Sequence, residues 1–398
     1  MIRMALTSKI IDTVKLGLKI LGDSSYRTLA MKYYSDLGRA KKLERKLIIS
    51  MYESLPYYKG KDEEMRAVLT HKSRSVNSIV LEALAVIRAN EKRVGRRVEE
   101  GELVAAHGYG IGLCASMRDD VHDGPLREYL KKFDNLNYED VCEYITYDRL
   151  LEVAKEHPTF KKDGELKSTR SYVMGSEKLE KLFRDEIEKL SSRALKHYLQ
   201  GKKEIEAVQA DDIYLAYLMQ RNERKEIFEF LGGTRNLIRA LRRRLDRLAI
   251  VGEKWPVIVN SITWHNGVKG IGEVNEALAK FSKHMTRLAQ WGEDDVPSTY
   301  KDIIEKSPTI MTVPTLIYDE EPKLKNLRRY IMKHKNFDSI VAKPIVKSMM
   351  DGLGRLKRLE FMYEDASLAA RMTMNETRKN LKDLEKELNV KFSYEWYV

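Results

Sequence analysis

An apolar run from Ala105 to Met117 closes on three carboxylates within five residues, Asp119, Asp120 and Asp123, followed by Gly124-Pro125. Small and apolar residues at that density predict a helix. On a helix, Asp119 and Asp123 lie one turn apart on one face, with Asp120 about 100° round. Gly124-Pro125 predicts the helix end. Like charges at this spacing repel, and a helix C-terminus already carries partial negative charge. Either water screens the cluster or cations neutralise it. Oxygen-only ligation suits Mg²⁺, which completes its shell with waters and substrate phosphates. The plain alternative is an exposed acidic helix end, with Asp123-Gly124-Pro125 as turn and cap.

The rest of the chain reads as helix. Helix formers dominate its 398 residues, β-branched alternation is scarce, and no Gly/Ser linker marks a boundary. The expected fold is all-α, one large domain with appended helices. Helices are expected near 75–90, over 138–200 with a polar loop from Pro158 to Ser168, and over Arg235–Arg247 after the break at Gly232-Gly233. Ala210-Asp211-Asp212 reads as the opening of another helix, with Asp211 as N-cap. No apolar run reaches ~18 residues, so no spanning helix is expected. The start lacks a signal-peptide core. Cys114 and Cys142 follow no ligand spacing, which suggests a reducing, cytoplasmic setting. The amphipathic stretch Thr13–Leu21 reads as a packed N-terminal helix or a contact with a membrane surface.

A second acidic run follows another apolar helix. Ile271–Trp291 leads into Gly292-Glu293-Asp294-Asp295-Val296-Pro297-Ser298, with Asp302 beyond. Alone it reads as caps around Pro297. As one of a pair, each closing an apolar helix, it carries more weight.

The pair resembles the class I isoprenoid synthases, the all-α family of trans-prenyltransferases and ionisation-type terpene synthases. Asp119, Asp120 and Asp123 match the family's first motif, Asp-Asp-x-x-Asp, in full. Asp294, Asp295 and Ser298 match the cyclase form of the second, with Asp302 in place of its Glu. Gln290 before that motif, Lys306 after it and the stretch Thr312 to Pro314 are similar to prenyltransferases. The similarity covers about residues 65–330, counting from motifs that close and open helices. The resemblance implies one antiparallel helical bundle around a central cavity, with residues 1–60 packed on a core of 61–335 and 336–398 completing the same domain.

It also implies a chemistry. Asp119, Asp120 and Asp123 on one wall, and Asp294, Asp295, Ser298 and Asp302 on the other, would hold Mg²⁺ against an allylic prenyl diphosphate. Arg127, Lys72, Arg74, Arg244, Arg247 and Lys306 are the candidate diphosphate contacts. Tyr109, Cys114, Ala115, Gln290 and Trp291 are the candidate cavity residues, each also readable as core packing. Only His71-Lys72-Ser73-Arg74 stands where prenyltransferases carry Gly-Gly-Lys-x-x-Arg, and Arg127 stands alone where they carry a pair. Elongation, as in a polyprenyl diphosphate synthase, is favoured; cyclisation of a single substrate remains the alternative. A homodimer is among the assemblies such a chain admits.

A formal net charge of +12 supports a rival. A basic helical protein without catalysis could bind nucleic acid through Arg235–Arg247. Against it, aromatics are not interleaved with the basic residues.

Overall fold

The computed structural model describes residues 77–98, 117–162, 165–221, 223–230, 237–264, 269–294 and 337–397, with single positions between 32 and 42. In chain order the helices are α1 (Asn77–Val94), α2 (117–130), α3 (Tyr138–Tyr144), α4 (Tyr147–Glu156), α5 (Thr169–Leu190) and α6 (Ser192–Gln220). Then come α7 (Arg224–Phe230), α8 (Leu237–Thr263), α9 (Ile271–Asp294), α10 (Phe337–Arg358) and α11 (Tyr363–Leu388). Among the described residues the all-α expectation holds apart from one hairpin. Strands β1 (Thr159–Lys162) and β2 (Glu165–Ser168) pair antiparallel with Thr159 opposite Ser168, where a loop was expected. Phe160 is the reason: burying its ring in an edge-to-face pair with Tyr172 at 5.4 Å fixes the strand's register.

Local chemistry sets most boundaries. Asn137 and Asp140 form a reciprocal capping box at the start of α3. Ser168 ends β2 and its hydroxyl caps α5 through Ser171 N–H. Helix α1 runs on through Lys92 and Arg93, beyond its expected end at Asn90. It stops at Gly95, whose φ of +73° a glycine adopts without strain. Asp211 corrects another expectation. It lies inside α6, where its carboxylate accepts the Tyr138 hydroxyl at 2.8 Å, because the helix formers before it leave no break for a cap.

Two apolar clusters result. One gathers α2, α3, α4, β1, α5, α6 and α7 around Val121, Leu150, Phe183 and Tyr217. The other gathers α1, α8, α9, α10, α11 and the chain end around Phe281, Leu288, Met349 and Trp396. Helices α5 and α6 belong to both: Phe183 lies in the first cluster, while Ile187, Ala194 and Tyr198 lie in the second. The N-terminal region touches the second. Arg88 of α1 donates to Asp36 at 3.1 Å, and Tyr33 O–H donates to Asp365 of α11 at 2.6 Å.

Helix α9 lies at the centre of the second cluster, with Val274, Ala277, Leu278, Phe281, Leu288 and Trp291 all buried. That spacing makes one continuous apolar stripe. Helix α10 crosses it at Gly352, where an added Cβ would stand 2.7 Å from Phe281 N. Gly352→Ala should therefore cost about 2 kcal/mol or more, because the backbone must move apart. Urea unfolding checks this; an unchanged midpoint would show that the crossing yields easily.

Glu82 of α1 faces the same helix, accepting the Ser282 hydroxyl. Burial raises its pKa to about 7, with the Ser282 hydrogen bond pulling the other way. The folded chain thus holds this proton more tightly than the unfolded one, and the stability it brings is lost as pH rises through 7. Glu82→Gln should raise stability at pH 8 by about 2 kcal/mol relative to its effect at pH 5, read from urea unfolding at both. A pH-independent effect would place the carboxylate in water.

Candidate functional site

Helix α2 does not end at Gly124-Pro125. Residues 117–121 are α-helical, His122–Leu126 form a π turn with Pro125 inside it, and Arg127–Leu130 return to α geometry. Pro125 has no N–H, and its ring would strike the carbonyl four residues back in a tight helix. Widening the turn removes the clash and lets the helix continue. Gly124 packs against the Phe160 ring, which lies 3.7 Å from where a Cβ would stand, an ordinary contact distance. The turn thus lies against the hairpin.

Widening changes what the acidic cluster faces. Asp119 and Asp123 are half-buried, while Asp120 is 2% exposed and His122 is 1% exposed. Asp123 pairs with Arg127 at 2.8 Å, one turn on. Arg118 is buried as well. Its guanidinium lies 3.3 Å from Glu206 and 3.5 Å from Glu180, donates to the Ile145 carbonyl at 3.4 Å, and sits over the Tyr147 ring at 4.9 Å. Glu180 also accepts the Tyr147 hydroxyl at 2.7 Å and is bonded by Lys202.

Burial opposes the charge on both partners. For Arg118, the neighbouring Tyr147, Glu180 and Glu206 outweigh it and raise the pKa above the usual guanidinium value. For Glu180, burial is outweighed by Lys202, Arg118 and the Tyr147 hydroxyl, which lower the pKa. His122 lacks such compensation. Burial, with Arg118 and Arg127 nearby, holds its ring neutral well below the usual range, against a small pull from the Ile145 carbonyl.

The donor chemistry of α2, carboxylate oxygens, suits Mg²⁺. The number of donors does not. Among the described residues no group of three or more His, Cys, Asp or Glu side chains is placed to hold a metal ion. Asp123 is engaged with Arg127, which a metal ion at this turn would have to displace or share.

Helix α2 packs on α6 and helix α9 packs on α8, and α6 and α8 are neighbours. Helices α6 and α8 run antiparallel: the Ser191 hydroxyl meets the Ser261 carbonyl at 3.3 Å, and Glu204 meets Lys254 at 3.2 Å. Helices α8 and α9 are antiparallel too, with Asn260 on Asn275 at 2.7 Å and Glu253 paired to Lys283. Continued at that register, Asp294 comes level with about Arg242 of α8 and about Ile213 of α6, by the 1.5 Å rise per residue. Helix α2 crosses α6 on that stretch, through Arg118 to Glu206 and through an apolar cluster shared with Ala210, Ile213 and Tyr217.

Of the other expected site residues, Asp294 closes α9, and Arg244 and Arg247 lie in α8; their side chains fall outside the described part. Lys72, Arg74, Tyr109, Cys114, Ala115, Asp295, Ser298, Asp302 and Lys306 lie outside the described residues, as does the stretch Thr13–Leu21. Gln290 is half-buried on the last turns of α9. Trp291 is core, edge-to-face with Trp396 at 6.2 Å. No described helix is long and apolar enough to cross a membrane. Compared with protein-family models, with curated proteins and with solved structures, the chain finds no match.

Arg118, His122, Glu180, Lys202 and Glu206 were not foreseen. His122 could have been, since it stands inside the acidic motif. Of the others only Lys202 and Glu206 carry a short-range signal, as an i,i+4 pair on α6; the links to Arg118 and Glu180 span tens of residues. His122 should make the protein acid-sensitive. Below about pH 6.5 the unfolded chain takes up a proton that the folded chain refuses, so stability falls as pH falls. His122→Asn should reduce the stability loss between pH 7 and pH 5 by about 2 kcal/mol in urea titrations. Equal losses in both proteins would mean that the ring is protonated within the fold.

Proposed function

We propose that this protein is an isoprenoid-synthase-like enzyme that ionises an allylic prenyl diphosphate, most simply in chain elongation. The observation that supports the reading is the helix register: extended along α6 and α8, it sets the α2 acidic turn and the end of α9 at about the same level. A cavity between them belongs to the proposal.

In the reaction, the C–O bond of the allylic diphosphate breaks heterolytically. The electron pair leaves with the diphosphate oxygen and an allylic cation remains. Magnesium, when bound, would neutralise charge on the leaving diphosphate. It would need carboxylates beyond those of α2, so no step here is assigned to it. Basic side chains facing the diphosphate would stabilise it directly, and the apolar clusters would keep water from the cation. Attack by the double bond of isopentenyl diphosphate, followed by proton loss, gives elongation. Attack by an internal double bond gives cyclisation.

The test is incubation with farnesyl or geranylgeranyl diphosphate, with and without labelled isopentenyl diphosphate and Mg²⁺. Longer diphosphates mean elongation; hydrocarbons or alcohols from one substrate mean cyclisation. Asp119→Ala should lower turnover at least ~10²-fold without unfolding the protein, its unfolding midpoint read alongside. No diphosphate release by the wild type, together with steep salt-dependent binding to generic DNA or RNA, would replace this reading with the nucleic-acid one.

A further inference from the structure

Asp338, in the first turn of α10, is fully buried, and its partners come from the chain end. Oδ1 accepts the Ser393 N–H at 3.3 Å and the Ser393 hydroxyl at 3.2 Å. Oδ2 accepts the Tyr394 N–H at 2.9 Å and the Trp396 indole N–H at 3.1 Å. Four donors on one buried carboxylate, at a helix N-terminus where negative charge is favoured, make a strong local anchor. Arg378 of α11 adds to it from outside, lying over the rings of Tyr397 at 4.3 Å and Tyr394 at 5.5 Å.

What this anchor holds is the end of α9. Trp396 is 1% exposed and packs edge-to-face on Trp291. Helix α11 holds the same turn from another side. Asn380 donates to the Gly292 carbonyl at 2.8 Å, one of the last-turn carbonyls that α9 cannot satisfy itself. Thr377 donates to the Leu288 carbonyl at 3.3 Å and lies where a Cβ on Gly292 would stand. Trp396 thus covers the turn of α9 that Asn380 and Thr377 bond.

We infer that the chain end, residues 390–397, is a strap locked by Asp338, and that it positions the C-terminal turns of α9 through Trp396 and Trp291. Asp338 is therefore a positioning residue. Its effect on the α9 end stands on the contacts above; its effect on catalysis rests on the proposed function.

Hydrogen–deuterium exchange on the full chain tests it. Asp338→Asn keeps the shape but turns an NH₂ group toward the strap's donors. Trp396→Phe keeps a ring and removes the indole N–H, and it carries the test if the first variant does not fold. Both should speed exchange at 286–294 about tenfold, together with 390–397, while 138–220 keeps its wild-type rates. Faster exchange at 390–397 alone would overturn the inference. So would faster exchange everywhere, which would mean general destabilisation. Under the proposed function, Trp396→Phe should also raise KM for geranylgeranyl diphosphate about fivefold, with kcat changed less than twofold. A wild type that releases no diphosphate would sink the proposed function, while the exchange pattern would still decide the strap.

Discussion

The close approach of helices around α9 is the constraint on which the larger cluster depends. A Cβ at Gly252 of α8 would strike Thr286, one at Gly292 would strike Thr377, and one at Gly352 of α10 would strike the Phe281 backbone. Helices brought this near gain dispersion contacts along their length, since each buried side chain meets neighbours on several sides. They also lose the freedom to slide, because only one register places three glycines opposite those atoms. The polar contacts confirm the register. Asn260 bonds to both Asn90 and Asn275, at 3.0 and 2.7 Å, tying α1, α8 and α9 together inside the core. Buried amides whose donors and acceptors meet each other specify an arrangement more than they stabilise it.

The smaller cluster is organised differently. Its interior holds Arg118 between two glutamates, with Lys202 and Tyr147 completing the network. Taking such charges from water is costly, and pairing them returns much of that cost only if every partner is present. Removing one would leave another buried and uncompensated. The network joins α2, α4, α5 and α6, so it fixes where the acidic turn sits on the long helix that connects both clusters. The register of α2 on α6 thus has a buried ionic component, and that of α9 on α8 combines a close glycine approach with polar pairs.

Much of the fold was legible and much of the site was not, for a physical reason. Helix class and approximate span follow from periodicity and caps, which are local: α9 was expected to Trp291 and ends at Asp294. Pro125 misled because proline's rule forbids a tight helical turn, not a widened one. Asp211 misled because its N-cap preference yields to helix formers on both sides. The hairpin at Phe160 was hidden because four-residue strands owe their form to what they bury. The aromatic chain end was visible as a run of rings, but the anchor at Asp338 lies 58 positions from Trp396. No window of sequence joins them.

Charge also separates the two functional readings more sharply than the total of +12 does. A diphosphate and a nucleic-acid backbone are both anions, so net charge favours each equally. Their geometry differs. A nucleic acid meets cations that project from a surface, and much of its affinity comes from counterions released there. A small diphosphate in an apolar enclosure needs cations with little water around them, where each contact is stronger. Arg118 and Arg127, the two cations of the acidic turn, are each less than a tenth exposed. They are also already engaged with carboxylates of the same chain, at 3.3 and 2.8 Å. Cations placed so, each less than a tenth exposed, do not project to a duplex groove. The nucleic-acid reading must therefore draw its contacts from elsewhere, chiefly the arginine-rich first half of α8.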